Sequence, residues 1–149
     1  MQAPEWNGQD KSGSLAQWIE ILGEEARRQF LEAGTHVEIF FVFNDEGLME
    51  VVPIAGMEKD DIVRELKKML AERGGYAFIH ISEGTMRHMD SAAEADLLMV
   101  HAESRDGLSE AYMSTVALRG EEKFLLDAVK VDGEKLDGRF AHIFRNLDC

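Results

Sequence analysis

An apolar stripe with helical spacing marks the first part of the chain. Ser14 and Gln17 form the capping signature that begins a helix, and Gly34 provides a left-handed stop. Gly23 lies in the middle, where glycine costs about 1 kcal/mol relative to alanine, so the position indicates close packing. The pattern therefore predicts an amphipathic helix whose buried stripe is Leu15, Trp18, Leu22, Ala26 and Phe30.

Alternation of side chains with a period of two follows the helix. It runs from His36 to Phe43, and the turn at residues 44–47 leads into a second strand from Leu48 to Ile54, which together predict a hairpin. Helical spacing then returns from Glu58 to Arg73, with acidic side chains at the start. The second predicted helix carries the apolar stripe Ile62, Leu66, Met69 and Leu70.

The rest of the chain is a series of strand patterns joined by turns. Polar connections at residues 104–107 and 119–122 have turn chemistry, so we expect an antiparallel meander. The predicted class is α+β, with one largely antiparallel sheet of six or seven strands, two helices on one face, and the order α-β-β-α-β-β-β-β-β. We expect residues 1–13 to be a flexible lead-in and residues 14–149 to form a single domain. The later strands are predicted at residues 76–82, 95–103, 108–118, 123–131 and 139–145.

The short turns also predict the register of these strands. Residues that face each other in an antiparallel pair have a constant sum of residue numbers, and a slip of one residue reverses both faces. Centring the turns at residues 104–107 and 119–122 pairs His101 with Glu110 and Val116 with Leu125. The hydrophobic pattern of the strands at 76–82 and 95–103 pairs His80 with His101, because a slip of one residue would turn their aliphatic side chains outward. One face of the sheet is then almost wholly apolar and predicted to lie under the helices: Leu98, Val100, Ala102, Ala111, Met113, Ala117, Phe124, Leu126 and Ala128.

A candidate metal site follows from this register. His80, His101 and Glu110 form a row across three neighbouring strands, which lie about 4.7 to 4.9 Å apart. Two imidazoles and a carboxylate suit a divalent ion of the zinc, nickel or iron type. The same row suits acid–base chemistry, with the carboxylate orienting a histidine. Alternatively, the three side chains are ordinary polar groups of a sheet surface.

The connection between the strands at 76–82 and 95–103 is a second candidate site. It is the longest predicted surface loop between strands, and such loops often carry function. A solvated connection without a function is the alternative interpretation. The polar residues that we single out in it are Glu83, Arg87, His88 and Asp90.

The sheet face that carries the histidines is also rich in apolar residues. A soluble monomer rarely exposes so large an apolar surface, so we expect the first helix, a protein partner or a second copy of the chain to cover it. The residues concerned are Tyr76, Phe78, Met99, Tyr112, Val116, Leu125 and Val129.

Composition narrows the range of partners. The 149 residues include 16 Lys and Arg against 29 Asp and Glu, a formal charge of -13, and no stretch forms a basic patch. Nucleic-acid binding depends on cationic side chains, so we expect no nucleic-acid partner. No apolar run reaches the roughly 18 residues that span a bilayer, and the first residues lack a secretory pattern, so we expect a cytoplasmic protein without membrane insertion.

Motif analysis leaves two hypotheses for the function. The sequence contains no phosphate-binding loop, no GxGxxG, no CxxC, no HExxH and no GxSxG. The first hypothesis is a non-enzymatic module for protein association, a homodimer formed through part of the second sheet face. The alternative is a metal-dependent or acid–base enzyme, similar to a hydrolase and acting on a small substrate. Whether the protein is an enzyme stays open at this point.

Overall fold

A computed structural model describes residues 4–54, 56–87 and 94–132. Two helices and a seven-stranded antiparallel sheet confirm the α+β class and the order of elements. The strand predicted at residues 139–145 lies outside the described residues. Within these ranges, no helix is both long and apolar enough to cross a membrane. The elements are α1 (Lys11–Ala33), β1 (Ile39–Asn44), β2 (Gly47–Pro53), α2 (Lys59–Glu72), β3 (Gly75–Arg87), β4 (Glu94–Ser104), β5 (Ser109–Arg119), β6 (Glu122–Leu125) and β7 (Val129–Asp132).

The strands are arranged in the order β2-β1-β3-β4-β5-β6, and β7 also pairs with β5. The single strand predicted at residues 123–131 is therefore two short strands. β6 pairs with residues 116–119 of β5, and β7 pairs with residues 110–113 of the same strand. Between them, the amide of Leu126 donates to the carbonyl of Thr115 at 3.0 Å.

The start of α1 differs from the prediction. Asp10, rather than Ser14, caps the helix, and its carboxylate accepts a hydrogen bond from the amide of Gly13. Residues 11–13 of the predicted flexible lead-in thus belong to the helix. Trp6, also in that lead-in, stacks on Phe43 with ring centroids 5.6 Å apart. The end is confirmed, because Gly34 has φ 77° and its amide donates to the carbonyl of Phe30.

The two helices cover opposite faces of the sheet, so the prediction that they share one face is wrong. Phe43 and Ile79 pack in the cluster with α1, whereas Phe40 and Phe78 pack in the cluster with α2. The reason lies in β1 and β3, whose side chains are apolar on both faces. A strand with two apolar faces is covered on both sides, so helices are needed on each.

Two of the three predicted registers are confirmed. His80 pairs with His101, and Val116 pairs with Leu125. The register between β4 and β5 is wrong by one residue, because His101 pairs with Ala111 rather than Glu110. The amide of Ser104 donates to the carbonyl of Leu108, so the loop contains three residues where a four-residue loop was assumed.

This shift reverses the two faces of β5. Leu98, Val100 and Ala102 face α1 as predicted, but Ala111 and Met113 lie on the other side of the sheet. The residues of the predicted second apolar face are likewise divided between the two sides of the sheet. Its members Tyr112, Val116 and Leu125 pack against the α1 cluster, Phe78 lies in the α2 cluster, and Val129 is 63% exposed.

Candidate ligand-binding groove

A groove of about 400 Å³ lies between α1 and strands β4 and β5. Residues three and four apart on a helix share a face, and alternate residues of a strand share a side of the sheet, so each element contributes a continuous wall. From α1 the lining residues are Ala16, Ile19, Glu20, Gly23, Glu24 and Arg27, and from the strands and the segment before β7 they are Leu98, Val100, Glu110, Tyr112, Ser114 and Ala128.

Small residues keep the groove open. A Cβ atom added at Gly23 meets no atom of the described residues within 4 Å, so within this part of the chain the prediction of close packing at this glycine is wrong. Ala16 and Ala128 contribute only methyl groups to the lining. Behind them, Ile19, Leu98 and Val100 provide an apolar floor, and all three side chains are buried.

Polar groups line the groove on both α1 and β5, and Glu110 and Tyr112 of β5 form a connected set with Lys130. The hydroxyl of Tyr112 donates to Glu110 Oε2 at 3.2 Å, and Lys130 Nζ lies 3.1 Å from Glu110 Oε1. Burial raises the pKa of the Tyr112 hydroxyl, and the carboxylates of Glu110 and Glu20 raise it further, against an opposing effect of Lys130. The phenol therefore keeps its proton at neutral pH and remains a hydrogen-bond donor.

Arg27 joins the helix wall of the groove to the sheet wall. Its Nη1 donates to Ser114 Oγ and, at 3.1 Å, to the carbonyl of Leu126. Ser114 is a buried residue of β5, and Leu126 follows β6. These contacts hold α1 at a fixed distance from β5 and so maintain the groove between them.

The sequence carried a partial signal for this groove. Residues 16, 20, 23 and 27 have helical spacing directly beside the apolar stripe of α1. The opposite wall could not be identified, because the register between β4 and β5 was wrong and placed Tyr112 on the other face of the sheet.

The predicted metal row is wrong in its third member. His80 and His101 lie side by side on neighbouring strands, on the face that carries Phe78 and α2. Glu110 pairs with Ala102 and lies on the α1 face, where it lines the groove. In the part of the chain that the structure describes, no group of three or more His, Cys, Asp or Glu side chains is arranged to hold a metal ion.

Each histidine of this pair instead contacts a different carboxylate. His80 Nε2 lies 2.9 Å from Glu38 Oε1, and His101 Nε2 lies 3.0 Å from Glu103 Oε2. Both imidazoles are buried, and Phe40 stacks on His80 with ring centroids 4.2 Å apart. Burial lowers the pKa of His80, although Glu38 acts against this shift. Glu103 could have been found from the sequence, because it follows His101 by two residues and so shares its face.

Of the four residues of the predicted loop site, two lie in a strand and two lie outside the described residues. Glu83 and Arg87 belong to β3, which continues to residue 87, whereas His88 and Asp90 lie outside the described residues. The Glu83 carboxylate accepts a hydrogen bond from Thr35 Oγ1 at 2.8 Å. Glu83 also lines a second, more polar hollow of about 330 Å³, together with Asp96 and Lys123.

No match to the chain was found among models of protein families, curated proteins or solved structures.

Proposed function

We propose that this protein is a binding protein that holds a small, largely apolar molecule in the groove between α1 and the sheet. The main observation in support of this proposal is the groove itself, which has a volume of about 400 Å³, an apolar floor and a few polar groups in its wall. Sites for small molecules measure roughly 300 to 1,000 Å³ and combine an apolar lining with a small number of convergent polar groups.

The helix composition supports this proposal. Glycine inside a helix costs about 1 kcal/mol relative to alanine, and it is usually explained by a close neighbour. No described residue lies next to Gly23 in that position, since a Cβ atom there would meet none of their atoms within 4 Å. The missing side chain widens the groove at the middle of α1 and so leaves room for a ligand.

The packing on the floor supports it as well. Ile19 and Val100 are each 5% exposed, so the floor belongs to the hydrophobic core around α1. A ligand seated there would cover apolar surface without requiring the core to rearrange. Pre-formed sites of this kind lose little conformational freedom on binding.

A titration with 1-octanol followed by NMR tests the proposal. We expect saturable shifts of the methyl signals of Ile19, Leu98 and Val100. The variant Gly23→Leu places a side chain in the groove and should abolish these shifts while the protein remains folded. Gln17→Leu is the matched control, because it adds the same side chain to α1 at an exposed position that does not line the groove.

Two results would contradict the proposal. One is an absence of saturable shifts at the groove in the parent protein. The other is an unchanged response of Gly23→Leu, which would show that octanol binds elsewhere.

Self-association remains a prediction. The apolar sheet face on which it was based is divided between the two sides of the sheet, so a different surface is needed. Apolar side chains are exposed on the edge strand β2, where Leu48 is 40% and Val51 is 44% exposed. An edge strand offers unpaired backbone groups to a second copy of the chain. Light scattering over a range of concentrations tests this prediction, and a constant monomer mass would remove it.

An acid–base enzyme is the second candidate function, and one observation favours it. The neighbouring residues His80 and His101 each lie within 3.0 Å of a carboxylate oxygen, an arrangement that orients imidazoles for proton transfer. A panel of ester and phosphoester substrates tests this candidate. Turnover that His101→Asn leaves unchanged would exclude the histidine pair as its source.

A further inference from the structure

We infer that the molecule held in the groove is a cation, with a protonated amine attached to an apolar body. This inference rests on the proposed function, since it names the class of ligand for the same site. The evidence for it is the charge of the side chains in the groove wall and the hydrogen bonds and ion pairs that these side chains already make.

Carboxylates outnumber cations among the lining residues. Among the residues that the structure describes, Glu20, Glu24 and Glu110 line the groove, and Arg27 is the one cationic lining residue. Lys130 lies outside the lining and neutralises part of the charge of Glu110. The described part of the wall therefore keeps a net negative charge after the Glu110–Lys130 ion pair is taken into account.

Arg27 is the group that would favour an anion instead, and its contacts argue against this role. Its Nη1 already donates to Ser114 Oγ and to the carbonyl of Leu126, which fixes the guanidinium against the sheet. Glu24 precedes Arg27 by three residues on the same helix face, so its carboxylate offsets the guanidinium charge.

Glu20 and Tyr112 mark the position of the amine. Glu20 makes no hydrogen bond or ion pair with any residue in the described ranges, and its charge acts on the Tyr112 hydroxyl across the groove. The ring of Tyr112 adds a π face, which attracts ammonium groups. An ammonium beside Glu20 would gain an ion pair at the rim while its alkyl chain lies on the apolar floor.

The charge of the whole chain acts in the same direction. A formal charge of -13 attracts cations to the surface and repels anions, and a partly enclosed groove strengthens this field. An anionic ligand of equal size would have to overcome both the groove wall and the field of the protein.

Matched probes test the inference. Octylamine, 1-octanol and octanoate have the same chain length and differ in charge at neutral pH. We expect octylamine to bind most tightly and octanoate least, with all shifts at the groove. Glu20→Gln should weaken octylamine binding by about three- to tenfold more than it weakens octanol binding.

Glu72→Gln is the control variant. It removes the same charge from an exposed position on α2, which covers the other face of the sheet. We expect it to leave octylamine binding at the groove unchanged. An equal effect of Glu72→Gln and Glu20→Gln would show that only the overall charge matters and would overturn the inference.

The outcomes separate this inference from the proposed function. Equal binding of octylamine and octanol, or tightest binding of octanoate, would overturn the cation inference while the groove stays a binding site. Failure of all three probes at the groove would overturn both.

Discussion

No residue that the structure describes gives Gly23 a steric reason to be glycine. Because an added Cβ meets none of their atoms within 4 Å, Gly23→Ala should introduce no clash and should recover the lost helix propensity. We expect the free energy of unfolding to rise by roughly 0.5 to 1 kcal/mol. Urea denaturation measures this change.

Gly34→Ala provides the opposite comparison on the same helix. Gly34 has φ 77°, a conformation in which alanine is strained, so this variant should be less stable than the parent. If Gly23→Ala also lowers the free energy of unfolding, then the groove at Gly23 is too narrow for an added methyl group.

His80 gives the protein a pH dependence whose sign is fixed by its surroundings. Burial lowers the pKa of His80 in the folded protein below its ordinary value of 6.5. Below about pH 6.5 the unfolded chain therefore binds more protons than the folded protein, so acidification favours unfolding. Stability from this residue is fully present above that pH and is lost as the pH falls through the lowered pKa.

The variant His80→Gln isolates this effect from the many carboxylates. We expect the fall in the urea midpoint between about pH 7.5 and pH 5.5 to be smaller in His80→Gln than in the parent. His36→Gln serves as a control outside the strands. An equal fall in the parent and in His80→Gln would contradict the expectation.

At the scale of elements, the turn between β4 and β5 determines which side chains line the groove. Arg105, Asp106 and Gly107 form the loop, and Gly107 has φ 107°, which side chains with a Cβ rarely adopt. Gly107→Ala should lower the free energy of unfolding by about 1 to 3 kcal/mol. Thermal or urea unfolding checks this value.

Gly84→Ala is a suitable control for that turn. Gly84 lies in β3, has no positive φ, and no atom of the described residues lies within 4 Å of its Cβ position. We expect a change of no more than about 0.5 kcal/mol for this variant. Equal effects of the two substitutions would show that the turn does not require glycine.

The same turn shows what the sequence could and could not predict. The register of β3 and β4 was predictable, because Ile79 and Val100 would both leave the core after a slip of one residue. β5 offers no such signal, since Ala111 and Met113 on one side and Tyr112 and Val116 on the other are all apolar. Its faces depended on the loop length alone, and a loop shorter by one residue moved Glu110 away from the histidines.

The helix positions were limited in a similar way. Periodicity predicted both helices and the confirmed stop at Gly34, because these are local properties of the chain. Which face each helix covers depends on β1, where Phe40 and Phe43 are equally apolar and point in opposite directions. The groove, the carboxylate of Glu38 beside His80, and the division of the core all follow from that tertiary arrangement.

At the scale of the molecule, one sheet is shared by two hydrophobic clusters. Neighbouring residues of β3 alternate between them, since Phe78 packs with α2 and Ile79 packs with α1. Neither cluster can lose β1 or β3 without disrupting the other. We therefore expect the described domain to unfold in a single cooperative transition.

Leu66→Ala tests this coupling, because the two tryptophans report on the other side of the sheet. Leu66 is 3% exposed in the α2 cluster, whereas Trp6 and Trp18 both contact Phe43 on the α1 side. Truncation should lower the free energy of unfolding by about 2 to 5 kcal/mol, and Ile62→Val by about 0.5 to 1.5 kcal/mol. In both variants, tryptophan fluorescence and far-UV circular dichroism should shift together to the same lower urea midpoint. A tryptophan transition that stays at the midpoint of the parent while helical signal is lost earlier would show that the α2 side unfolds separately.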